Sequence, residues 1–98
     1  MTIDKKADGN KLELKVSGRL DTMTAPELES VIKDNLNGVT DLALDFQDLE
    51  YISSAGLRVV LGARKAMGNS GTFVVRNLCS DVREIFDITG FSDIITIE

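Results

Sequence analysis

Leu12, Leu14 and Val16 alternate with Lys11, Glu13 and Lys15 in KLELKVSG, the period-two pattern of a strand with one wet face. Residues 2–7 read as a strand before it. Asp8-Gly9-Asn10 between them tolerates positive φ, so a tight hairpin is expected. The period then changes. Leu28, Val31, Ile32 and Leu36 recur at i, i+3, i+4 and i+8, one apolar helical stripe. Thr24 is the expected cap of that helix, Pro26 fits its first turn, and Glu27 completes a capping box. Asn37-Gly38 stops it. Alternation returns in DLALDF, 41–46, with Leu42, Leu44 and Phe46 on one face, and Gln47 to Ser53 read as a loop. Leu57, Val60, Leu61 and Met67 mark a second helix, and Gly68-Asn69-Ser70-Gly71 after it reads as a turn. A strand over 72–77 follows. A third helix spans about Ser80 to Thr89, with Val82, Ile85 and Phe86 inward and Gly90 as its stop. DIITIE, 93–98, is the last expected strand.

Strand then helix, three times over, implies parallel pairing with right-handed crossovers. The strands are half polar, so helices are expected to cover only one face of the sheet; a doubly covered sheet would show solid apolar runs. The expected fold is α/β: a small mixed β-sheet with helices packed on one face, in the order β-β-α-β-α-β-α-β, as a single domain over 1–98.

Composition narrows the function classes. The 98 residues are 43% hydrophobic and 28% charged, the balance of a globular chain. No apolar run approaches the length of a membrane span, and MTIDKKADGN lacks the apolar stretch of a secretory signal, so a cytoplasmic location is expected. The net charge of −5 repels phosphate backbones and anionic lipid, which disfavours nucleic acid and membrane as partners. There is no histidine, hence no Ser-His-Asp triad and no imidazole metal ligand. Asp45, Gln47, Asp48 and Glu50 cluster without the glycine and terminal glutamate of a calcium loop. No metal, cofactor or catalytic residue is expected. Cys79 is the single cysteine and reads as a small residue near a helix start.

Sites in α/β sheets gather where strands end and helices begin. Two such junctions stand out: Gly18-Arg19-Leu20-Asp21-Thr22 and Ile52-Ser53-Ser54-Ala55-Gly56. Serines at a helix mouth ordinarily cap it. The same position suits a covalent switch, because free N–H groups and the helix dipole tolerate a phosphate. Ser-Ala-Gly also leaves the backbone open to a close partner, and Gly56 weakens the first turn by roughly 1 kcal/mol relative to Ala. Asp21 reads either as a loop residue or as part of a site. Arg58, Arg64 and Lys65 form a solvated helix face or a docking face.

With both junctions in view, the chain resembles the STAS family, and within it the small bacterial anti-sigma factor antagonists. The resemblance rests on GRLDTMTAPEL (18–28), LALDFQDLEYISSAGLRVVL (42–61) and LCSDVREIFDITGFSDIITI (78–97), in the family's order and spacing. It implies a binder and kinase substrate rather than a catalyst. The unphosphorylated antagonist binds an anti-sigma factor that is itself a serine kinase, and the sigma factor is released. Phosphorylation at the start of the second helix breaks the complex, and a phosphatase resets it. Matching the family motif Asp-Ser-Ser/Thr/Ala-Gly-Leu through Gly56 puts the acceptor on Ser54, with Ser53, which stands where the family has aspartate, as runner-up. Asp21 falls on the family aspartate near the acceptor. The implied partner surface comprises Asp21, Thr22, Ser53, Ser54, Ala55, Gly56 and Arg58. The alternative is a constitutive, unphosphorylated STAS interaction module of a transporter or signalling complex, with both serines as caps. Relatives commonly carry a final helix after the last strand, so apolar surface near Ile95 and Ile97 is expected to be open or covered by a partner.

Overall fold

The hairpin at Asp8-Gly9-Asn10 closes β1 (Thr2–Asp8) antiparallel onto β2 (Lys11–Leu20) in the computed structural model, which describes residues 1–69 and 71–98. Then follow α1 (Ala25–Asn35), β3 (Asp41–Asp45), β4 (Leu49–Ile52), α2 (Ser54–Met67), β5 (Thr72–Arg76), α3 (Ser80–Ile88), a 3₁₀ turn (Phe91–Asp93) and β6 (Thr96–Ile97). The sheet order is β1-β2-β3-β5-β6, parallel from β2 onward, and β4 pairs with β2 beyond the end of β3. This is the expected mixed α/β sheet.

Register explains the core. Leu12 faces Leu42, which faces Phe73; Leu14 faces Leu44, which faces Val75. These inward rows meet Leu28 and Ile32 of α1, Leu57, Val60 and Met67 of α2, and Val82 and Phe86 of α3, all buried. Val59 and Ala63 join them, while Leu61 is only half-buried. Phe86 meets Phe91 edge to face with ring centroids 6.0 Å apart, which locks α3 to the 3₁₀ turn.

The opposite face of the sheet is charged and largely matches itself. Asp8 faces Lys11, Lys6 faces Glu13 and Asp4 faces Lys15 across β1 and β2. Lys11 faces Asp41 and Lys15 faces Asp45 across β2 and β3, and Asp45 faces Arg76 on β5. Opposite charges in cross-strand register support the pairing, and Arg76 also reaches Glu13 at 3.3 Å and Glu98 at 2.8 Å. A face of this kind stays in water without a covering layer.

Three expectations change. The stretch read as a loop from Gln47 to Ser53 contains β4. Its inward residues, Leu49 and Ile52, are three apart, so no alternation marks it. They share a face because one step along β2, from Gly18 to Arg19, matches two along β4, from Leu49 to Tyr51. The last strand shrinks from 93–98 to Thr96–Ile97, since the amides of Asp93, Ile94 and Ile95 bond back to the carbonyls of Gly90 and Phe91. Ile95 is buried and Ile97 half-buried, so the open apolar side chains in this region are Ile88 and Ile94 instead. In the expected turn after α2, Gly68 takes a φ of 62° and its N–H reaches the carbonyls of Arg64 and Lys65; Ser70 lies outside the described residues. Cys79 is half-buried at the start of α3, with its sulfur 3.5 Å from the Leu49 carbonyl oxygen. No helix among the described residues is long and apolar enough to cross a membrane.

Phe86 has no exposed surface and joins α3 to the sheet and to Phe91. Phe86→Ala is expected to lower the unfolding free energy by about 3–5 kcal/mol in urea titration, with the slope unchanged. A loss below about 1 kcal/mol would contradict this packing.

Candidate functional site

The two junctions singled out in the sequence lie side by side because β2 and β4 end together. Leu20 and Ile52 are register partners, and the Ser53 amide donates to the Leu20 carbonyl at 2.9 Å. The chain leaves β2 through Asp21 toward α1, and leaves β4 through Ser53 directly into α2. Both exits are at the carboxyl ends of parallel strands, the ordinary location of sites in such sheets.

Asp21 is the organising residue of the first exit. Its Oδ1 accepts from the amides of Met23 at 3.0 Å and Thr24 at 3.2 Å. The Thr24 hydroxyl accepts from the Asp21 amide at 2.9 Å and donates to the Arg19 carbonyl at 2.8 Å. Asp21 and Thr24 therefore form the reciprocal capping box, three residues earlier than the Thr24–Glu27 pair expected from the sequence. Thr24 makes no side-chain cap bond to α1, and the Asp21 carbonyl already accepts from the amides of Thr24 and Ala25. The ionised carboxylate, a strong acceptor, thus holds the turn that leads into α1.

Burial pushes the Asp21 carboxyl upward, but the Thr24 and Met23 amides, the Thr24 hydroxyl and Arg19 together hold it below the usual aspartate value. Arg19 Nε lies 3.9 Å from Asp21 Oδ2, and its guanidinium stacks 4.3 Å over the ring of Tyr51, its register partner on β4. Asp21 is thus an ionised structural anchor and a poor proton acceptor.

The second exit is built differently. Ser53 is the N-cap of α2 with extended backbone, yet its hydroxyl makes no cap bond; it is buried without a partner among the described residues. Ser54, the first residue of α2, is exposed. The expected capping by serine side chains is not realised. Gly56 is buried, and a Cβ there would lie 2.8 Å from both Leu20 Cγ and Ile52 Cγ1. Among the residues expected to meet a partner, Gly56 is corrected: its lack of a side chain serves close approach to the chain's own core.

Of the other expected residues, Thr22, Ala55 and Arg58 line one depression. Thr22, Ser54 and Arg58 are exposed, and Asp21, Ser53 and Ala55 are half-buried. A shallow depression of about 190 Å³ runs between α1 and α2, with Thr22, Pro26 and Glu29 on one wall and Ala55, Arg58 and Val59 on the other. Met23 stands beside it, 87% exposed, on backbone pinned by Asp21. Met23 and Tyr51 were not singled out from the sequence, and Arg19 was named only as part of the first junction. An apolar residue between two threonines in a loop was the available signal for Met23; no signal predicted the Arg19–Tyr51 stack, which depends on β4. No cluster of metal-ligating side chains occurs among the described residues.

The mixed sheet that carries these two exits has known relatives. The STAS domain profile matches residues 2–98, and the chain is a member of the STAS family. Among its relatives, the anti-sigma-B factor antagonist of Bacillus subtilis is 31% identical over 98 residues, covering 99% of this chain and 90% of that protein. An anti-sigma factor antagonist from Mycobacterium paratuberculosis has the same fold at a TM-score of 0.90 and 24% identity, over 98% of this chain and 83% of that one. So does the phosphorylated form of the Bacillus cell-fate determinant SpoIIAA, at a TM-score of 0.77 and 18% identity, over 99% and 91%.

Two predictions test this geometry. Gly56→Ala is expected to destabilise the fold by about 1–3 kcal/mol in chemical denaturation, although alanine favours the helix by about 1 kcal/mol in isolation; a stabilised variant would contradict the contact with Leu20 and Ile52. The lowered Asp21 value means that its contribution to stability is present above the unfolded-state value near pH 4 and is lost as pH falls through the folded one. Between about pH 5 and pH 2 the thermal midpoint of Asp21→Asn is expected to fall less than that of the wild type. Equal acid limbs would show that the carboxylate is not specially held.

Proposed function

We propose that this chain is an anti-sigma factor antagonist that works by partner switching. Unphosphorylated, it binds an anti-sigma factor that is also a serine kinase, and the sigma factor goes free. Phosphorylation of Ser54 ends the complex, and a protein serine phosphatase restores the binding form. The chain is a substrate and a binder in the cytoplasm, not a catalyst, and it uses no cofactor. Family membership and the antagonist from Bacillus subtilis support this reading.

The observation that carries the choice of residue is the contrast between the two serines. The Ser53 hydroxyl is buried, whereas Ser54 is exposed at the first position of α2. A kinase must reach the oxygen, so Ser54 is the acceptor and Ser53 the runner-up. Asp21, Thr22, Ser53, Ala55 and Arg58 form the surrounding contact surface, with Met23 as an additional apolar contact. Phosphate adds about 1.5 to 2 negative charges at neutral pH. A tenfold loss of affinity needs only about 1.4 kcal/mol, which one uncompensated charge in an interface supplies. SpoIIAA, which shares this fold, has been solved in a phosphorylated form.

One observation favours the alternative of a constitutive interaction module: Ser53 occupies the position where the family motif has aspartate. Phosphopeptide mapping of the protein from its native cells, grown with and without stress, separates the two readings. Phosphate on Ser54 that changes with condition supports the switch; its absence under every condition supports the constitutive module. In binding measurements, Ser54→Asp is expected to weaken the anti-sigma factor complex at least tenfold with little change in thermal midpoint. Equal affinity, or an equally large loss of fold stability, would overturn the switch.

A further inference from the structure

Resting on Ser54 as the acceptor, we propose that Arg58 is the intramolecular counter-charge of the Ser54 phosphate. Modification then alters the partner face twice: it adds an anion and it withdraws the open cation beside it.

Ser54 and Arg58 are four residues apart on α2, and both are exposed. Residues at this spacing are neighbours on one helix face, and an acid placed N-terminal to its base is the favourable order. Helical side chains lean toward the N-terminus, so Arg58 leans over the turn that begins with Ser54. Its guanidinium forms no salt bridge among the described residues. The nearby alternatives are occupied. Arg19 lies between Asp21 and the Tyr51 ring. Glu29, which lines the same depression as Arg58, holds Lys33 at 3.6 Å.

A planar guanidinium can bond two phosphate oxygens at once, which suits a phosphoserine one turn away. The charged groups on the neighbouring elements are Arg58 on the same helix, Glu29 of α1 on the opposite wall of the depression that Arg58 lines, and Arg19 and Asp21 at the exit of β2. Arg58 alone among them has no charged partner before modification. In the unmodified chain it is available to an acidic group of the binding partner. In the modified chain it turns inward, and that contact is lost along with the gain of negative charge.

The test installs phosphoserine at position 54 by chemical synthesis, without a kinase, and follows the phosphate by ³¹P NMR through its second ionisation. At low ionic strength that ionisation is expected about 0.4 pH units lower in the wild type than in Arg58→Gln, the size of one i,i+4 ion pair. Arg58→Lys is expected to fall between them, and the difference is expected to shrink in 1 M salt. The free amides of the helix start act equally in all three proteins, so the difference reports Arg58. Arg58 is exposed, and circular dichroism verifies that each variant is folded. Identical titrations in wild type and Arg58→Gln would overturn the proposal. Because no kinase takes part, that result leaves the acceptor assignment standing; failure of the assignment appears instead in the mapping of native phosphate.

Discussion

The hydrogen bond from the Ser53 amide to the Leu20 carbonyl closes the parallel pair β2–β4, and the functional surface depends on that closure. Without it, the aspartate turn and the serine turn would be the ends of unrelated strands. The pairing requires an irregular step, because Gly18 with a φ of 94° and an uneven register allow Leu49 and Ile52 to point inward together. It also requires Gly56, since only a residue without a Cβ lets α2 start directly against Leu20 and Ile52. Three local features that each weaken regular structure thus converge on one tight corner.

Charge is distributed between two tasks. On the uncovered face of the sheet, opposite charges face one another across strands, and Arg76 bridges Glu13 and Glu98. At the helix-bearing corner, the Asp21 carboxylate holds the turn before α1, and Arg19 is held by Asp21 and Tyr51. Thr22, Ser54, Arg58 and Met23 remain exposed there.

The two adjacent serines have diverged through placement alone. Ser53 stays at the strand–helix boundary, where its backbone is tied to Leu20 and its hydroxyl is shut in. A buried hydroxyl without a partner is unfavourable by roughly 1–3 kcal/mol, a strain near a site rather than in the distant core. One residue later the helix has begun and Ser54 faces water. The same chemical group is therefore inaccessible at one position and available at the next.

Much of this protein was legible in its sequence. The alternation of Leu12, Leu14 and Val16, the stripe from Leu28 to Leu36 and the order of elements depend on local periodicity, and they specify a one-sided mixed sheet with helices over it. The two junctions, and the serines within the second, were visible for the same reason. The tertiary structure decided what local pattern does not encode. It made Leu49–Ile52 a strand, because its register follows from a bulge opposite β2. It paired Thr24 with Asp21 in the turn before α1 instead of with Glu27, because competing acceptors are ranked only once both are in place. It buried Gly56 and exposed Ser54, since burial is a property of neighbours brought from distant parts of the chain. It set Arg19 over Tyr51 by the same cross-strand pairing, a contact between residues far apart in sequence that no periodicity could announce.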